Sequence, residues 1–154
     1  MATAEPVIAT TVTTPSDLEI VLTRVIAAPR TFVFDAWTSP EHLPHWMLGP
    51  DRWTMPVCEV DLRPGGAWRS VWRRNDGTEM EMSGVYQEID RPGRLVSTES
   101  WGPGWADTVN TLVLTEEDGR TTISNRILYP TREARDAALR TGMAKGVDLS
   151  YDRL

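Results

Sequence analysis

At 154 residues and a net charge of −6, the chain suffices for one domain with a real core. It is too acidic for a nucleic-acid surface, which needs a basic patch to release counterions from phosphates. The single cysteine, Cys58, excludes an internal disulfide and fits a reducing cytoplasm. No apolar run of about eighteen residues is present, and MATAEPVIATTVTTPS has neither the basic start nor the apolar stretch of a signal peptide. A cytoplasmic protein without membrane contact is expected.

Residues 1–16 are rich in Ala, Thr and Pro and read as a flexible N-terminal arm; residues 17–154 read as one domain. Leu18–Ala27 reads as a strand with apolar residues on both parities, hence buried on both faces. Two short helices are expected next, each begun by a proline at its first position, Pro29 and Pro40, with Ser39 capping the second. Phe32, Phe34, Ala36 and Trp37 are spread around the first helix, which predicts packing on two sides. The second stops at Pro44 or just after Trp46-Met47, and so short an apolar piece reads as a lid or plug.

Six strands follow: Trp53–Arg63, Ala67–Arg74, Thr78–Ile89, Arg94–Trp101, Asp107–Thr115 and Thr121–Tyr129. Turn residues separate them at Pro64-Gly65-Gly66, Asn75-Asp76-Gly77, Asp90–Gly93 and Glu117-Asp118-Gly119, while Gly102-Pro103-Gly104-Trp105 breaks the fourth. Consecutive hairpins imply an antiparallel sheet of about seven strands in all. Thr131 caps a helix that is expected to run to the chain end, with Ala138, Leu139, Gly142, Met143, Gly146 and Ser150 at helical spacing. Gly142 and Gly146 signal close helix–sheet approach, or room for a ligand beneath the helix.

The side-chain inventory is aromatic and soft. Seven tryptophans are present, and Trp68 and Trp72 share one strand face with Ser70. Met80 and Met82 share a face opposite Glu79 and Glu81. Such surfaces suit a flat, apolar ligand or core packing, although a filled core seldom needs so many indole N–H groups. Asn110 shares parity with Leu112 and Leu114 and is expected to face inward, orienting a ligand or bonding to neighbouring backbone. Glu99 shares parity with Leu95 and Trp101 and is the best acid/base candidate, because a carboxylate in an apolar cavity has a raised pKa. His42 and His45 lie on the short second helix without a third metal ligand, and Cys58 reads as a buried structural thiol. No metal or cofactor is expected. Pro64-Gly65-Gly66 joins two strands and is no phosphate loop.

Several motifs, in order, carry a family likeness. They are Arg24, the run Ala28-Pro29-Arg30 through Ala36-Trp37, Ser39-Pro40-Glu41 with Trp46, Gly49-Pro50 and Asp61-Leu62-Arg63-Pro64-Gly65-Gly66. Asp76-Gly77, Gly84, Arg94-Leu95-Val96 and the Gly142…Gly146 helix complete them. From Leu18 to Leu154 the chain resembles the START-like (SRPBCC) superfamily, and most of all the branch named after the activator of heat-shock-protein-90 ATPase, often grouped with polyketide cyclases. The resemblance implies an α+β helix-grip (Bet v 1-like) fold, with a curved antiparallel sheet wrapped on a long C-terminal helix and a cavity between them. On that fold the expected ligand-binding residues are Trp46, Met47, Trp53, Trp68, Trp72, Met82, Trp101, Trp105, Asn110, Met143 and Val147.

Relatives often carry two adjacent tryptophans where this chain has Trp46-Met47, and Gly-Trp where it has Gly146-Val147; both changes imply a roomier or differently shaped pocket. The expected role is binding of a small hydrophobic or aromatic molecule. Alternatives are a polyketide aromatase/cyclase-like enzyme, relying on Glu99 and Asn110, and a co-chaperone-type ATPase activator, although the chain has no room for the co-chaperones' additional domain. The arm and the edge strands permit a homodimer.

Overall fold

The computed structural model describes residues 10–154. Among them the strands are β1 (Thr11–Thr13), β2 (Glu19–Ile26), β3 (Trp53–Val60), β4 (Ala67–Arg74), β5 (Glu79–Asp90), β6 (Arg94–Glu99), β7 (Thr108–Glu117) and β8 (Arg120–Leu128). All pair antiparallel in one sheet of order β1-β2-β8-β7-β6-β5-β4-β3. The six-strand meander is as expected. The eighth strand is β1, which falls inside the expected flexible arm: Thr11 pairs with Thr23 and Thr13 with Val21. The rest of that arm, residues 1–9, lies outside the described residues.

Period-two alternation places one face of the sheet against helices. Ile20 and Leu22 on β2, Leu112 and Leu114 on β7, and Ile123 and Ile127 on β8 are buried on that face. β2 is not covered on both faces as its pattern suggested, since Val21 and Val25 are only partly buried. Gly84 marks a crossing of backbones: a Cβ there would lie 1.9 Å from the Thr98 carbonyl oxygen, so only glycine fits between β5 and β6.

Helix α1 spans Arg30–Thr38 and α2 Leu43–Trp46. Pro29 is the residue before α1, in extended conformation, and the first N–H is satisfied from afar, with Arg30 N donating to Glu116 Oε1 of β7 at 2.7 Å. Val33, Phe34 and Ala36 are buried, but Phe32 is 51% exposed, so the helix packs on one side. Pro40 lies in a turn closed by bonds from His42 N and Leu43 N to Ser39 O at 3.1 and 3.0 Å; Pro44 is the proline of α2's first turn.

The C-terminal helix is interrupted. α3 covers Arg132–Arg140, capped by Thr131 as expected, and α4 covers Met143–Arg153. Gly142 between them has φ +77°, a left-handed conformation that ends α3 and redirects the chain. Ala134, Ala138, Met143, Ala144 and Val147 then cover Ile20, Leu22, Ile127 and Tyr129. A larger cluster beside them joins Phe34, Trp46, Met55, Trp72, Met82, Tyr86, Leu112, Leu114 and Tyr151. Gly146 faces Pro50 and not the sheet, with a Cβ position 3.8 Å from Pro50 Cδ, and Gly49 N donates to Ser150 Oγ at 2.8 Å.

Arg24 fastens α4 to β2. Its guanidinium meets Asp148 Oδ1 at 3.0 Å and Asp152 Oδ1 at 2.6 Å, and Thr10 N also donates to Asp148 Oδ1, at 2.8 Å.

Candidate functional site

The register of β6 and β7 sets Glu99 opposite Thr108 and Ser97 opposite Asn110, and β8 sets Ile127 opposite Asn110. Glu99 and Asn110 therefore both face the helices. The Glu99 carboxylate accepts from Trp101 Nε1 at Oε1 (2.7 Å) and from Asn110 Nδ2 at Oε2 (2.6 Å). The residue keeps some exposed surface, yet burial raises its pKa to about 6 against the lowering effect of these two bonds. No cation is among the groups acting on it, and among the described residues it has no ion-pair partner.

Its charge reaches two tyrosines. The Tyr129 hydroxyl is pushed up to about 12 by burial and then by Glu99, and it donates to Met143 Sδ at 3.7 Å. Tyr151, on α4, is raised chiefly by burial, with Glu99 adding to the effect. Asn125 lies near enough to lower it, by more than Glu99 raises it, but the hydroxyl meets no partner at hydrogen-bonding geometry.

The concave face is short of partners. Thr108 Oγ1, Asn110 Oδ1, Tyr151 Oη and Trp68 Nε1 are buried and unbonded. An unmade bond at each buried group costs about 1–3 kcal/mol. Several such atoms within one apolar face are what a bound polar group or water satisfies.

Aromatic rings surround them. Trp72 stacks on Trp101 with centroids 5.7 Å apart and planes 18° apart, and Trp72 Nε1 donates to Met47 O at 2.7 Å. Trp46 donates to Ala36 O at 2.9 Å and packs against Trp37, centroid to centroid 4.9 Å, and Tyr151.

Of the expected ligand-binding residues, Trp46, Trp72 and Met82 share the larger buried cluster, with Met47, Trp53, Trp68 and Val147 packed against it. Met143 sits on the neighbouring cluster. Trp53 lies under the Arg74 guanidinium at 5.6 Å. Trp101 is 38% exposed, and Trp105, 51% exposed, stands on the loop outside the cluster. His42 and His45 are exposed, and Cys58 is half-buried, its pKa raised by burial. The sequence reading missed Thr108, Tyr129 and Tyr151. Tyr151 continues the row Met143, Val147 at a spacing of four, and that periodicity was the available signal.

Two depressions stand out on the surface. The larger, about 600 Å³, runs between β2, α1 and the chain end and is lined by Arg24, Ile26, Pro29, Phe32, Tyr151 and Leu154 among others. The smaller lies at the β7–β8 turn. Neither contains an expected ligand-binding residue; Tyr151 joins the larger one to the concave face.

The family described as activator of Hsp90 ATPase homolog 1-like protein matches residues 27–154. The chain belongs to this family. A protein of Rhodobacter sphaeroides is similar at 28% identity, with TM-score 0.89 and 94% of each chain covered. One from Nitrosomonas europaea is similar at 25% identity and TM-score 0.80, covering 91% of this chain and 93% of its own. An AHSA1-like protein from Aeromonas hydrophila shares the fold at TM-score 0.70, 18% identity and 86% and 90% coverage. No curated protein matches. The START-like helix-grip assignment thus stands, with the sheet one strand larger than expected. Among the described residues no helix is long and apolar enough to cross a membrane.

Proposed function

We propose that this AHSA1-like domain binds a small apolar or aromatic molecule on its concave face, between the sheet and α4. The observation that carries the reading is the set of unbonded polar atoms around Glu99, at Thr108, Asn110 and Tyr151, within a face otherwise made of aromatic, Met and aliphatic side chains. A few convergent polar groups in an apolar recess are the usual make-up of a small-molecule site. Side chains fill much of this space, so the ligand enters by displacing them. Met82, Met47 and Met143 are flexible enough to yield, and the Trp101–Trp105 loop offers an exposed aromatic entrance. The family's name does not by itself bring an ATPase-activating role to this chain, because function resides in sites and not in folds.

Titration with a neutral fluorescent apolar probe such as phenylnaphthylamine, followed by tryptophan quenching, tests the reading. Saturable one-site binding that lipids or aromatic polyketides compete away is expected. Non-saturable uptake across the whole panel would count decisively against it.

One observation favours a catalytic variant of this reading. Glu99, with its pKa raised to about 6, is suited to exchange protons near neutrality, as an aromatase/cyclase requires. Turnover of a poly-β-ketone analogue by the wild type and its loss in Glu99→Gln would establish it; binding without turnover would leave a binding protein.

A further inference from the structure

Glu99 is a carboxylate set into an apolar face with no counter-charge among the described residues, and this says what a ligand there should carry. Its two oxygens each accept one hydrogen bond, from the neutral donors Trp101 and Asn110. A carboxylate offers about four acceptor positions, so accepting capacity is left over. The neighbouring orphan Asn110 Oδ1 is also an acceptor, and the Thr108 and Tyr151 hydroxyls can accept as well as donate. Asn110, Thr108 and Tyr151 are 8%, 5% and 2% exposed, so solvent does not readily meet their demand. The Trp68 indole N–H and the two hydroxyls can also donate, but the one charge in this inventory is the anion of Glu99. Arg24, engaged by Asp148 and Asp152 of α4, appears among the groups acting on Tyr151 but not on Glu99. A buried charge is stable when paired, and among the described residues Glu99 has no cationic partner.

The rings supply the second half of the recognition. The Trp72–Trp101 stack, held by Trp101's own bond to Glu99, brings aromatic faces beside the carboxylate, and Tyr129 and Tyr151 lie within reach of its field. Carboxylate plus aromatic faces is the chemistry that receives an organic cation. Resting on the binding function proposed above, we infer that the ligand of the concave face is an amine: an apolar or aromatic body whose protonated nitrogen stands against Glu99 and donates to Glu99 and Asn110 Oδ1.

Three probes of one shape and different charge test this: naphthylmethylamine, naphthylmethanol and naphthoate. Binding is measured by calorimetry in about 0.5 M salt, where attraction to exposed acidic residues is screened. The amine is expected to bind at least about ten-fold more tightly than the alcohol, with the carboxylate weakest. Glu99→Gln should erase the amine's advantage while changing the alcohol's affinity less than about two-fold. Asp152→Asn, which neutralises an exposed carboxylate on α4, should leave the advantage intact and keeps the test decisive should the Glu99 variant fail to fold. Equal binding of amine and alcohol to the wild type overturns the amine and leaves the binding function standing. An advantage that survives Glu99→Gln, or vanishes with Asp152→Asn, overturns it too. Failure of all three probes to bind overturns both.

Discussion

Glu99 makes a thermodynamic statement as well as a chemical one. Burial moves its pKa from 4.5 to about 6, so between those values the native state holds a proton that the unfolded chain has released. The carboxyl's contribution to stability is therefore complete at low pH and declines as pH rises through that window, by about 2 kcal/mol. Denaturation of wild type and Glu99→Gln at about pH 4.5 and about pH 7.5 reads this directly: the wild type should gain on the variant by most of that amount at the lower pH. A pH-independent difference would refute the assignment. Met47 is a second residue with a readable role. Its carbonyl holds Trp72, and its side chain is the methionine where relatives often have a second tryptophan. Met47→Trp leaves that carbonyl in place and should slow entry of a bulky probe about ten-fold, measured by stopped-flow quenching; an unchanged rate would show that Met47 does not line the entrance. The inward orientation of Glu99 and Asn110 was legible because strand parity alone decides it. The hydrogen bond between them was not, because it depends on which residue of β7 stands opposite which of β6, and a loop of irregular length intervenes.

At the scale of elements, the strands were read to within a few residues because each is bounded by turn residues that tolerate only turn conformations. The helices were less legible. Periodicity runs through Gly142 without a break, so it could not show that Gly142 takes a left-handed φ of +77° and divides the helix. That conformation makes opposite forecasts for two glycines. Gly142→Ala should cost about 1 kcal/mol, since an L side chain resists that region. Gly146 lies inside α4 with only ordinary contact to Pro50 at 3.8 Å, so Gly146→Ala should gain about 0.5–1 kcal/mol from helix propensity. Urea denaturation of the pair checks both signs, and a loss at both positions would mean that the helix break is misassigned. The start of α1 was beyond any local rule. Its donor finds Glu116, eighty-six positions along the chain, and no window of sequence contains both partners.

Across the whole molecule the antiparallel order is nearly sequential from β3 to β8, which is why a meander could be read off the chain. Only β2 leaves that order, returning to pair with β8, and local sequence pattern had nothing to say about that closure. Arg24 secures the closed form. Its side chain is 12% exposed and joins β2 to two acids of α4, one of which also holds the backbone of Thr10. Arg24→Met should lower stability by about 2 kcal/mol. Hydrogen exchange should show the loss concentrated in α4 and around residues 10–13, with β6–β8 still protected. Uniform acceleration across the sheet would argue that Arg24 serves the global fold and not this clasp.

The stacked indoles of Trp72 and Trp101 are also two chromophores held at a fixed distance and angle. Transition dipoles so arranged couple, and the pair should give the protein an exciton couplet in circular dichroism. A molecule inserted between the rings, or a loop swung outward, uncouples them. Occupancy of the concave face is thus written into the protein's own optical activity, readable without a label.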